Sequence, residues 1–389
     1  MSTFKFLPLF VIAVGSAALS CKKNELNEAA GNNQPVNNEI RQVGGVIAPG
    51  FNMDKFEQNI QNTYAPNTIG YSYAISSGNS VVRYGGEGKA LISTEGNVLY
   101  TASTRQELAS VTKFMTAIAA FKLLELKGKT PNELIKNYLP TTWTLHPSYN
   151  NLTFKQLLAH KSGFPIEQRD YANLKSMVSM PQGSTAYNYN NANFALCRIL
   201  LPYLLKGKAY FAASENWDAV LETVTANEFR AIMRHYVLEP SGLTYWTMAD
   251  FKDWHHINLA ANPCPRYYNF ESPYSGSSAN GDDFLIAGSR GLVLSTYEVA
   301  QVVQAFEKGQ LVSASNMNVM KTEGCGFDGT GHVGAHGTYY WKNGAGGGES
   351  MIMVFPNNVR VSINTNSRKN SGLFVANKNN LVAAYENAW

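Results

Sequence analysis

Alternating apolar and polar positions at 70–75 and 80–84, parted by Ser77, Gly78 and Asn79, predict a β-hairpin. From 112 to 127 the period lengthens. Phe114, Ile118, Phe121 and Leu124 recur three to four residues apart, and Gly128 stands where a helix would stop. Helical spacing returns in shorter pieces at 153–159, 193–205, 226–238 and 296–308. Strand patterns reappear at 338–343, 350–355 and 360–366, and a last helix-like stretch covers 373–386. Strands therefore flank a largely helical middle. That order predicts an α+β fold, with an antiparallel sheet built from both chain ends, flanking helices and a helical lobe. No internal repeat is present.

The segment ahead of this pattern is different in kind. Positions 6–19 are almost wholly apolar after a single Lys5, and Ser20-Cys21-Lys22-Lys23 follows. A short positive start, an apolar run too short to span a bilayer and small residues before a Cys read as a bacterial secretion signal. Ala18-Leu19-Ser20-Cys21 resembles a lipoprotein box, which implies lipidation of Cys21. The expected organisation is a signal peptide at 1–20, a flexible Asn/Gln-rich tether at 21–50 and a single folded domain at 51–389. Within it, sheet segments are expected at about 66–100 and 330–389 and the helical lobe at about 104–310. The expected product is an exported lipoprotein, anchored by its N-terminal lipid and facing the periplasm or cell surface.

Composition narrows the field without choosing within it. The chain has 389 residues, 44% hydrophobic and 15% charged, which excludes a disordered or collagen-like polymer. Lys plus Arg number 32 against 28 Asp plus Glu, a small and dispersed surplus that gives no reason to expect nucleic acid. With Cys21 lipidated, Cys197, Cys264 and Cys325 remain. Cys197 lies in an apolar run and reads as a buried thiol, whereas pairing of Cys264 with Cys325 stays open.

Several short motifs carry no weight. GCGFDG at 324–329 fits a dinucleotide fingerprint but follows no clear strand and opens no helix, so its glycines read as turn residues. His255-His256 has no third ligand nearby, and no metal or other cofactor is expected. The G-x-S-x-G elbow of α/β-hydrolases is absent.

Ser110 and Lys113 are the informative pair. A Ser followed three residues later by Lys, at the opening of a helix, puts both side chains on one face within hydrogen-bonding reach. Serine is a poor nucleophile until a base takes its proton, and a desolvated Lys beside other cations can be that base. The motif alone is weak, expected about once or twice by chance in a chain of this size. Ser20-Cys21-Lys22-Lys23 fits it too.

Its surroundings are more specific. ELASVTKFMTA at 107–117 resembles the active-site helix of class C β-lactamases, low-molecular-mass penicillin-binding proteins and related serine esterases. LLAHKSGFP at 157–165, PQG at 181–183, YNYNNANFAL at 187–196, EPSGL at 239–243 and AGSRGL at 287–292 resemble further segments of that family, in its order. The resemblance runs from about residue 55 to 367. It implies the β-lactamase and penicillin-binding-protein fold and acyl transfer through Ser110, without a cofactor.

Carried onto this sequence, the family's Y-x-N motif falls on Tyr189-Asn190-Asn191. Tyr149-Asn150-Asn151 and Tyr267-Tyr268-Asn269 also fit it but read as loop aromatics. The resemblance makes Tyr189 a proton shuttle whose phenolate Lys113 and Lys342 would stabilise. Asn191 would donate to a substrate carbonyl and orient Lys113. The family's K-T/S-G or H-x-G motif falls best on Lys342-Asn343-Gly344, with His332-Val333-Gly334 second; Lys161-Ser162-Gly163 comes too early. Gly344 would let substrate approach the strand. Backbone N–H groups of Ser110 and Ala345 would form the oxyanion hole. Asn343 stands where the family has Thr or Ser, which weakens recognition of a substrate carboxylate. The expected substrate is a small ester, amide, β-lactam or cell-wall D-peptide. D-alanyl-D-alanine carboxypeptidase action is the rival activity, and a catalytically silent surface-binding lipoprotein is the reading from another class.

Overall fold

The computed structural model describes residues 48–251, 264–277, 283–369 and 375–389. The signal segment, Cys21, most of the tether and His255-His256 lie outside them. The chain enters through α1 (Met53–Tyr64), capped by Asn52, whose side chain accepts from Lys55 N–H. Met53, Phe56, Ile60 and Tyr64 fall on one buried stripe of α1. The hairpin follows as β1 (Gly70–Ser77) and β2 (Ser80–Leu91), with Gly78 at φ +56° in its two-residue turn. Next come β3 (Val98–Leu99), β4 (Gln106–Glu107) and α2 (Thr112–Leu126).

Among the described residues the helical middle contributes β5 (Tyr268–Asn269) and β6 (Val293–Leu294) as strands. After it come β7 (Gly329–Val333), β8 (Gly337–Ala345), β9 (Glu349–Val354), β10 (Val359–Thr365) and β11 (Ser367–Arg368). Seven of these form one antiparallel sheet in the order β3-β2-β1-β10-β9-β8-β7. The chain ends meet at its centre, where Tyr71 pairs with Thr365 and Ser77 with Val359. β4 and β6 make a separate antiparallel pair, and β11 runs parallel to β5.

Period-two alternation sorts the two faces of the sheet. Tyr71, Tyr73, Ile75, Val361 and Ile363 pack with α1 and the C-terminal helix Lys378–Glu386 in one apolar cluster. The intervening positions are small or polar. Ser362 donates to the Thr296 carbonyl at 2.7 Å, so the helix Thr296–Glu307 sits close against that face. A larger core gathers α2 and the helical middle beneath the same side, reaching Ile352 and Val354 of β9.

Most elements fall where the periodicity puts them, with instructive differences. The helix expected at 226–238 begins at Asp218 and ends at Met233, and a wider turn continues to Leu238. The last helix starts at Lys378, capped by Asn377, rather than near 373. The resemblance implies an edge strand for Lys342, but its strand β8 is second from the edge, because β7 lies beyond it. Cys325 is a buried free thiol, so no bridge joins it to Cys264. Among the described residues no helix is long and apolar enough to cross a membrane.

Candidate active site

Ser110 sits in a tight 3₁₀ turn, Ala109–Val111, between β4 and the start of α2. Ala109 has φ +45°, a left-handed conformation that costs a non-glycine residue roughly 1–2 kcal/mol. Surrounding structure holds this strain: Leu108 N–H donates to the Leu292 carbonyl at 2.9 Å, and the Ser350 hydroxyl donates to the Leu108 carbonyl. Such strain collects where a side chain must be aimed.

One turn on, Lys113 is fully buried. Its ammonium donates to Ser110 Oγ at 2.9 Å, to Asn191 Oδ1 at 2.6 Å and to the Ser289 carbonyl at 2.6 Å. None of these partners is a carboxylate. Burial, followed by repulsion from Lys342 and Arg169, pushes the Lys113 amine well below the usual lysine range, against the pull of Asp328 and Glu167. A lysine so placed can release its proton and accept one from Ser110.

The second segment arrives from the helical middle. Tyr189 donates its hydroxyl to Ser110 Oγ at 2.9 Å, and both Lys113 and Lys342 lie 5.3 Å from the centre of its ring. His160 stacks on that ring at 4.4 Å. Its Nδ1 accepts from Asn190 N–H at 3.2 Å. Burial first, then the charges of Lys113 and Lys342, lower the His160 imidazole to about 3, so it is a neutral platform for Tyr189 at ordinary pH. Asn191 faces two ways: Oδ1 accepts a hydrogen bond from Lys113 Nζ, and Nδ2 donates to Glu167 Oε1. Of the other Y-x-N candidates, Tyr149 is buried against Phe164, and Tyr267 packs beneath Gly347 and Gly348.

The third segment is the end of β8. β7 pairs with β8 from Gly337 only as far as Trp341, so the stretch from Lys342 to Ala345 is locally an open edge. Asn343 N–H points to this edge, since it donates to Asp328 Oδ2 at 3.0 Å. Two residues on, Ala345 N–H points the same way. A Cβ at Gly344 would lie 2.3 Å from the Leu108 carbonyl oxygen and 2.9 Å from Ser110 N. Glycine here thus lets the backbone of the nucleophile approach the strand, a closer constraint than room for substrate.

Lys342 is buried and points toward Tyr189, but its ammonium is taken by Asp328 Oδ1 at 2.6 Å and the Asn343 carbonyl at 3.0 Å. His332 is exposed on β7 beside Thr338, four residues along β8 from Lys342, or about 13 Å. Lys161 forms an ion pair with Glu323 at 3.4 Å instead of joining the site.

Two functional candidates escaped the motifs. Asp328 lies in the glycine run read as a turn, and Glu167 lies in the loop after LLAHKSGFP. A carboxylate two residues past a family segment is a faint signal. Asp328 had none. No group of His, Cys, Asp and Glu among the described residues could hold a metal ion.

A family model described as Beta-lactamase matches residues 56–385. The fold is similar to the octameric penicillin-binding protein homologue from Pyrococcus abyssi at 18% identity and TM-score 0.62, covering 85% of this chain and 76% of that one. D-amino acid amidase from Ochrobactrum anthropi SV3, complexed with L-phenylalanine, is similar at 14% identity and TM-score 0.60, covering 86% and 97%. Penicillin binding protein from Bacillus halodurans is similar at 16% identity and TM-score 0.58, covering 86% and 100%. No curated protein sequence matches. The family model spans the segments that carry Ser110, Lys113, Tyr189 and Lys342, and the chain belongs to the β-lactamase family of serine hydrolases.

Proposed function

We propose that the protein hydrolyses an ester, an amide or a D-amino-acid peptide through an acyl-enzyme on Ser110. The observation that carries this reading is the 2.9 Å contact between Lys113 Nζ and Ser110 Oγ, made by a buried lysine without a carboxylate partner. Ser110 Oγ bonds to the substrate carbonyl carbon while its proton passes to Lys113. The negative oxygen that develops is met by the N–H groups of Ser110 and Ala345. Collapse breaks the bond to the amine or alcohol, which leaves with a proton relayed through Tyr189. Water then adds to the acyl-enzyme, giving up its proton to the same relay, and releases the acid and Ser110.

Treatment with a fluorophosphonate, followed by intact mass and peptide mapping, tests this reading. One adduct, on Ser110, is expected; an adduct elsewhere, or none on folded protein, overturns it. We also propose that the chain is exported and lipidated on Cys21. Labelled palmitate should enter the native protein and be lost in Cys21→Ser; uptake that persists in that variant refutes the assignment.

A further inference from the structure

Carboxylates of this chain already occupy hydrogen-bond donors on both sides of Ser110. On one side Glu167 Oε1 accepts from Asn191 Nδ2. On the other, Asp328 takes Lys342 Nζ at 2.6 Å and Asn343 N–H at 3.0 Å. A substrate carboxylate approaching the β8 edge would meet Asp328 instead of an uncompensated cation. Repulsion between like charges then opposes binding, and no Ser or Thr hydroxyl stands at 343 to offset it.

Glu167 offers the opposite chemistry. Its two donors, Asn191 and Arg169, both meet Oε1, the latter at 2.9 Å, and its side chain is 49% exposed. A carboxylate has about four lone-pair sites, so acceptor capacity remains for a ligand. Partial burial raises its carboxyl, but hydrogen bonds from Asn191 and Arg169 outweigh this and hold it below the usual range, so the group is an anion at neutral pH. It also stands close to the reacting centre. Hydrogen bonds run from Ser110 to Lys113, on to Asn191 and then to Glu167. Exposed apolar side chains line the same cleft: Ile166 precedes Glu167 in the loop, and Tyr187, 57% exposed, packs edge-on against His160, which stacks on Tyr189.

We propose that Glu167 selects substrates with a free, protonated amino group on the carbon next to the scissile carbonyl, while Asp328 disfavours substrates that place a carboxylate at the β8 edge. The substrate class is thus an amide or ester of an amino acid with an apolar or aromatic side chain and an unblocked amino group. This assignment rests on the acyl-transfer reading above. Arg169 in the same loop supplies the competing prediction, capture of a substrate carboxylate.

The test uses the full chain with both enantiomers of phenylalanine amide, their N-acetyl and N-succinyl derivatives, and p-nitrophenyl acetate as a neutral ester. The unblocked amide should exceed its N-acetyl form in kcat/KM by about tenfold or more, the value of one charge-assisted hydrogen bond. The N-succinyl form, which carries a carboxylate, should be slowest. Glu167→Gln should bring the unblocked to N-acetyl ratio close to one, mainly through KM, and Glu167→Asp should restore part of it. Preference for the N-succinyl substrate, or an unchanged ratio in Glu167→Gln, overturns the proposal. Ester turnover without amine preference overturns the substrate assignment alone. A protein that cleaves no ester and takes no fluorophosphonate on Ser110 overturns the acyl-transfer reading with it.

Discussion

Two buried lysines stand at equal distance from the Tyr189 ring, and they are held in opposite ways. Lys113 donates to a hydroxyl, an amide oxygen and a backbone carbonyl, all neutral. Lys342 has a carboxylate, Asp328, at 2.6 Å. A buried cation without a counter-ion is unstable as a cation, so Lys113 is driven toward the neutral amine that can act as a base. A lysine ion-paired to a carboxylate instead ties two segments together, here the end of β8 to Asp328. On the acyl-transfer reading proposed above, the same residue type serves proton transfer at one wall of the cleft and architecture at the other, and the neighbour decides which.

The largest expected effect follows from the unpaired lysine. Lys113→Ala should slow acylation of Ser110 by about 10²–10⁴-fold, the usual worth of general-base assistance, with the fold retained. Stopped-flow labelling by a fluorophosphonate checks it, and a loss below tenfold would mean another group takes the proton. Gly344→Ala comes next, since its Cβ would meet the Leu108 carbonyl oxygen at 2.3 Å. A displacement of about 1 Å in the nucleophile's backbone should cost roughly 10²-fold in kcat/KM.

The paired lysine should respond in stability first. Asp328→Asn leaves Lys342 buried without its anion, and breaking one partner of such a pair costs about 3–5 kcal/mol. Urea denaturation measures it, and Asp328→Asn combined with Lys342→Met should recover much of the loss. The pH dependence sharpens the contrast. Acylation should rise with pH as Lys113 loses its proton. Because Lys342 and Arg169 lower the Lys113 pKa, Lys342→Met or Arg169→Gln should move that rise to higher pH. Because Glu167 raises it, Glu167→Gln should move the rise to lower pH. His160, already at about 3, should add no step near neutrality. Smallest of all, His332→Ala should change stability by no more than about 0.5 kcal/mol and leave turnover intact. A large loss there would transfer the third motif from Lys342 to His332.

The elements that sequence reveals are those whose cause is local. The hairpin at 70–84 declares itself through alternation around a two-residue turn, and Ser110 with Lys113 through one turn of helix. Helix α1 carries an Asn52 cap and a stripe of Met53, Phe56, Ile60 and Tyr64 that the periodic reading passed over. The early half of the helix Asp218–Met233 escaped because Leu221 is its one buried residue before Thr225, which leaves the apolar stripe faint there. The site divides in the same manner. Tyr189 and Asn191 belong to one short segment with a recognisable neighbourhood. Asp328 and Glu167 touch Lys342 and Asn191 only because distant segments converge, and no spacing along the chain encodes that.

The central pairing of β1 with β10 also governs when this molecule can come into being. Tyr71 must wait for Thr365, so the sheet cannot close while the ribosome is still making the helical middle. Contacts between such distant residues fold slowly, since a long loop must be ordered before any reward arrives. Lys342 and Ala345 emerge in that same late stretch, after Ser110 has been synthesised. A nascent chain stopped before β8 therefore carries Ser110 without the strand beside it, and on the proposed mechanism hydrolytic competence waits for β8 to β10.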